Sequence, residues 1–131
     1  MEFSGYHDPH PHHLPFGAPP WGPHGGYVYK WKIIFSKDYY RSGDLGVMEI
    51  ILEHNSKDPP AHDVRFHLSC SGIEFEDAYL SHIGSGEIVR ASIPFKVSNS
   101  CSSGTHTLYI THQARESWSE EDFARIPIEI V

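Results

Sequence analysis

The sequence predicts an all-β protein: a two-sheet antiparallel sandwich over residues 27–131, entered through an extended arm over residues 1–26. Three observations carry this. Apolar residues alternate with polar ones at a period of two from Tyr27 onward, as half-buried antiparallel strands require. Turn residues interrupt that alternation at roughly ten-residue intervals. Residues 1–26, by contrast, hold six Pro, five Gly and five His and not one Lys or Arg.

Taken in order, Tyr27–Phe35 sets Tyr29, Trp31, Ile33 and Phe35 on one face and Lys30 and Lys32 on the other. Gly46–His54 opposes Met48, Ile50 and Leu52 to Glu49 and Glu53, and Asp63–Ser69 opposes Val64, Phe66 and Leu68 to Arg65 and His67. Asp77–Ile83 alternates more weakly and reads as an edge strand. Glu87–Val97 points Val89, Ala91, Ile93, Phe95 and Val97 one way; Thr105–His112 does the same with Leu108 and Ile110, and Arg125–Val131 with Ile126, Ile128 and Ile130. The turns between them are Ser42-Gly43-Asp44, Asn55–Pro60, Ser71-Gly72, Gly84-Ser85-Gly86 and Asn99–Gly104. Ser119–Asp122 has the composition of a capped helical turn before the last strand. Seven such strands make the expected architecture an immunoglobulin-like, seven-stranded antiparallel sandwich. In the arm, Pro removes backbone donors and disfavours helix and central strand, so residues 1–26 are expected to be extended and polyproline-like.

Length and charge narrow the function. The 131 residues suit one domain with one core. With a formal net charge of −7, the surface repels phosphate backbones and anionic membranes, against nucleic-acid binding and membrane docking. No apolar run reaches the roughly 20 residues of a membrane span. Residues 1–26 hold neither the basic nor the apolar region of a secretory signal.

The strand punctuation resembles the CARDB and S-layer-associated immunoglobulin-like domains of bacterial and archaeal surface proteins. The matching pieces are Ser42-Gly43-Asp44 before Val47–Leu52, the His54-Asn55 turn, Ala61–Val64, Ile83–Gly86 and Ile93–Val97, over roughly residues 36–112. The His/Pro-rich arm is not part of that pattern. The resemblance implies a non-catalytic spacer, adhesion or accessory module at the cell surface or outside the cell.

Candidate sites lie mostly in the arm. His7, His10, His12, His13 and His24 are a candidate set for Zn, Cu or Ni, because imidazole is the commonest transition-metal ligand. Phe3, Tyr6, Phe16 and Trp21, with Trp118 from the sandwich, are candidate interface anchors, since exposed aromatic residues commonly anchor contacts. Cys70 and Cys101 each end a strand beside small turn residues; they are either a candidate disulfide or two separate thiols. His106 and His112 sit at the two ends of the Leu108–Ile110 face, too far apart to share a metal. His54, His62, His67 and His82 read as surface or loop residues, and Glu116, Glu120, Glu121 and Asp122 as a solvated acidic loop. GxSxG, HExxH and a phosphate-cradling glycine loop are absent, which points away from catalysis.

The expected function is a non-enzymatic structural subunit of a filament, sheath or surface layer. Its arm would make the contacts between subunits, or with another surface protein. The alternatives are a metal- or haem-contacting accessory protein using the arm histidines, and a carbohydrate-binding module.

Overall fold

A computed structural model describes residues 1–8, 28–115 and 120–131. Its strands, in chain order, are β1 (Glu2–His7), β2 (Tyr29–Phe35), β3 (Leu45–His54), β4 (Ala61–Ser69), β5 (Ile73–Phe75), β6 (Ala78–Ile83), β7 (Ile88–Val97), β8 (Gly104–Gln113) and β9 (Glu121–Ile130). They form two antiparallel sheets, one in the order β1-β2-β3-β7-β5 and the other β6-β4-β8-β9. Among the described residues there is no helix, and so none long and apolar enough to cross a membrane.

The alternation read from the sequence becomes the core. Ile33, Phe35, Met48, Ile50 and Leu52 of the first sheet are buried in one cluster with Phe66, Leu68, Leu108, Ile110, Ile126 and Ile128 of the second. Each such side chain contributes about 1.5–3 kcal/mol by leaving water. All seven expected strands are present, and β6 lies at a sheet edge as expected. Two strands go beyond the expectation. Gly72, at φ +77°, turns the chain so that Ile73–Phe75 pairs with β7 as the short β5.

The other addition is β1, inside the segment expected to be polyproline-like. The first Pro is Pro9, so every residue of Glu2–His7 keeps its backbone donor. These residues pair antiparallel with β2, from Glu2 opposite Ile34 to His7 opposite Tyr29. The Met1 ammonium donates to the Phe35 carbonyl at 3.0 Å, and the Phe35 amide donates back to the Met1 carbonyl at 2.8 Å. The strand alternates as an edge strand should: Phe3, Gly5 and His7 face inward, Glu2, Ser4 and Tyr6 outward.

Two further expectations are corrected. Glu121 and Asp122 begin β9 rather than a helical turn, because their backbone pairs with His112 and Thr111 of β8; Ser119 lies outside the described residues. His54 is buried rather than at the surface, since it continues the inward phase of Met48, Ile50 and Leu52, and its Nε2 meets the Pro59 carbonyl at 2.8 Å.

Candidate functional site: a buried His–His–Glu cluster between the sheets

The site depends on an irregularity in β9. Ile110 lies opposite Ala124, but the next residue, Thr111, lies opposite Asp122, so Phe123 is an extra residue and forms a bulge. Below the bulge Ile126, Ile128 and Ile130 face the core; above it the phase reverses, and Phe123 and Glu121 turn inward while Asp122 stays exposed. On β8, His112 follows Leu108 and Ile110 on the inner face and is completely buried. From the facing sheet, His7 ends β1 on its inward side and is buried as well.

Three elements thus bring three ligand-type side chains together. His7 Nε2 is 3.3 Å from Glu121 Oε2, and His112 Nδ1 is 3.7 Å from the same oxygen. The three donor atoms all lie within 4.8 Å of one another. The walls are aromatic: Phe123 lies 4.8 Å from the His7 ring, Phe66 5.3 Å from the His112 ring and Tyr29 5.1 Å from it, centroid to centroid. His112 Nε2 and the Tyr29 hydroxyl are hydrogen-bonded at 3.2 Å. Its other nitrogen, Nδ1, is buried, aimed at Glu121 and without a hydrogen-bond partner.

The electrostatics follow from this packing. Burial alone pushes the Glu121 carboxyl up, but His112 and His7 facing it more than reverse the effect and hold it down at about 2. It is therefore a carboxylate at neutral pH. Burial pushes His112 down, with the Glu121 carboxylate opposing this only in part, so His112 is a neutral imidazole. The cluster carries an anion and a buried imidazole nitrogen without a hydrogen bond, packed among aromatic rings, with Glu121 keeping 18% of its side-chain surface open to solvent.

Of the residues expected to function, His7 is in this cluster, while His10, His12, His13 and His24 lie outside the described residues, as do Phe16, Trp21, Trp118 and Glu116. Phe3 packs on its own core, edge-on to Phe35 with centroids 6.2 Å apart. Tyr6 is exposed. Cys70 and Cys101 are free thiols. Cys101 Sγ sits 3.6 Å from His106 Nε2, and burial pushes the Cys70 thiol up to about 11, which leaves it protonated at neutral pH. His106 makes loop contacts, to the carbonyls of Ser71 at 2.8 Å and Ser102 at 2.7 Å. Glu121, expected in a solvated loop, is the carboxylate of the site. His112 was in phase with Leu108 and Ile110 all along; Glu121 was masked by the bulge.

No protein-family model matches the sequence, and no curated protein sequence matches it. In fold the chain is similar to part of a family 123 glycoside hydrolase from Clostridium perfringens, with 17% identity, a TM-score of 0.52, and coverage of 71% of this chain and 22% of that one. It is also similar to Spo0M, a sporulation control protein from Bacillus subtilis, with 12% identity, a TM-score of 0.56, and coverage of 78% of this chain and 49% of that one. The chain thus spans about a fifth of the first and half of the second. At these identities the likeness is one of fold: a two-sheet β-sandwich that recurs within larger proteins.

Proposed function

We propose that the chain is a non-catalytic structural subunit of an extracellular or surface assembly, and that β1 is the element exchanged between subunits. One observation supports this above others: β1 is a complete edge strand separated from β2 by residues 8–28, a tether with six prolines. That tether spans up to about 70 Å if extended, far more than neighbouring strands need. The same β1–β2 ladder can therefore form within one subunit or between two, by strand addition. Within one subunit the tether supplies an effective concentration of about a millimolar, so exchange between subunits belongs to crowded conditions. The immunoglobulin-like character of the sandwich and its surface location are part of this reading, supported by the two-sheet arrangement and by the resemblance of residues 36–112 to surface-protein domains.

Gly5→Val tests it. Any Cβ at Gly5 runs into the ring of Trp31, its partner in the ladder, whichever subunit supplies that Trp31. Light scattering over a concentration series is expected to show self-association of the parent chain and its loss in Gly5→Val. Equal self-association of the two proteins would rule the reading out.

A further inference from the structure

We propose that His7, His112 and Glu121 bind one divalent transition-metal ion, with zinc the ion the donor set fits best. Two imidazoles and a carboxylate are among the commonest three-residue zinc sets, leaving a fourth position for water. Donor atoms around a tetrahedral zinc lie about 3.3–3.5 Å apart, given bonds of about 2.0–2.2 Å. Here His7 and Glu121 are 3.3 Å apart, His112 and Glu121 3.7 Å, and no pair of donors exceeds 4.8 Å. The widest pair must close by up to about 1.3 Å to reach that spacing.

The second observation concerns what His112 lacks at that spacing, since 3.7 Å is too long for a hydrogen bond to Glu121. A buried nitrogen without a hydrogen bond costs about 1–3 kcal/mol, and His112 Nδ1 is one. A metal at the centre of the cluster takes up its lone pair. In that tautomer Nε2–H donates to the Tyr29 hydroxyl oxygen, 3.2 Å away, which is the outer-shell bond that orients metal-bound imidazoles. Charge agrees: the ion offsets a partly buried carboxylate that faces two histidines, each of them packed against a phenylalanine ring. Nitrogen-rich donors favour zinc, copper or nickel over calcium or magnesium, which prefer all-oxygen shells.

The consequence is mechanical. His7 belongs to β1 at the edge of one sheet, His112 and Glu121 to β8 and β9 of the other. An ion held by all three ties β1 across the interface to the opposite sheet, and so favours the state in which β1 is docked.

The test is a zinc titration of dilute, untagged full-length protein against a chromogenic chelator, with cobalt(II) absorption as a readout of coordination. Three proteins are compared with the parent: Glu121→Gln, His7→Gln, and a variant with His10, His12, His13 and His24 all changed to Ser. One zinc per chain is expected in the parent and in the fourfold variant, with unchanged affinity. Glu121→Gln and His7→Gln are expected to weaken binding by more than about tenfold and to lose the cobalt spectrum, while circular dichroism shows the same sandwich. Glu121→Gln is nearly isosteric, so it remains informative should His7→Gln disturb β1. Undiminished binding in both single variants, loss of binding in the fourfold variant, or no stoichiometric binding in the parent would each overturn the proposal. None of these outcomes depends on self-association.

Discussion

Gly5 shows how much a single residue decides. It lies opposite Trp31 on the inward face of β1, and Trp31 lies over the place where a side chain would stand, its own ring 6.0 Å from that of Phe123. A Val there must displace Trp31 or lift the strand, an overpacking that costs about 1–3 kcal/mol. Urea denaturation of dilute Gly5→Val is expected to show a loss of that size, and no change in midpoint would mean that β1 does not dock as described. Glu121 contributes to the response to acid in metal-free protein. Its folded pKa is depressed, so its contribution is present above the ordinary carboxyl value of 4.5 and is lost as pH falls toward about 2. His112 is also depressed, from 6.5, so the unfolded chain takes up a proton first and stability begins to fall below about pH 6.5. Denaturation midpoints measured from pH 7 to 3 in the presence of a chelator should fall in both windows, and Glu121→Gln should flatten the lower one. A profile identical to the parent's in that variant would contradict the assignment.

At the scale of the element, β1 has a testable hydrogen-bond pattern. Met1 and Phe35 exchange both backbone bonds, so by antiparallel alternation Phe3, Gly5 and His7 do so with Ile33, Trp31 and Tyr29. Ser4 and Tyr6 direct their amides away from β2. Hydrogen exchange followed by NMR is expected to show slow amides at Phe3, Gly5 and His7 and fast ones at Ser4 and Tyr6; uniformly fast exchange from Glu2 to His7 would exclude a docked strand. The same elements show what could be read in advance. Six of the seven expected strands were legible because their inward faces keep one phase over six or more residues; β6, which buries Ala78 and Ile83 out of phase, was legible only as a weak edge strand. β1 was hidden by its neighbours: the prolines of residues 9–23 dominate the composition of the arm, although Phe3-Gly5-His7 alternates cleanly before the first of them. β5 has three residues, too few for a period. Glu121 was illegible for a different reason, since a bulge reverses phase and nothing in the order Asp122-Phe123-Ala124 marks where the extra residue goes.

For the molecule as a whole, β1 closes one side of the sandwich by linking the edge of the five-stranded sheet to β9 at the edge of the other. It is held at both ends, by the Met1 ammonium on the Phe35 carbonyl and by His7 against Glu121. Metal binding should therefore register as global stability: at zinc a hundredfold above the parent's dissociation constant, about 2.7 kcal/mol is expected for the parent and less than about 1.4 kcal/mol for Glu121→Gln. Thermal denaturation with and without zinc measures it, and equal stabilisation of both proteins would place the metal elsewhere. The central claim is that the β1–β2 ladder forms within a subunit in dilute protein and between subunits in the assembly. Ser4 and Lys32 face each other across that ladder on its outward side, so Ser4→Cys with Lys32→Cys, in a background where Cys70 and Cys101 are Ser, reports which ladder is present. After oxidation, a non-reducing gel should show closed monomers from dilute protein and a ladder of linked subunits from concentrated protein. Closed monomers alone at every concentration at which the protein self-associates would contradict it.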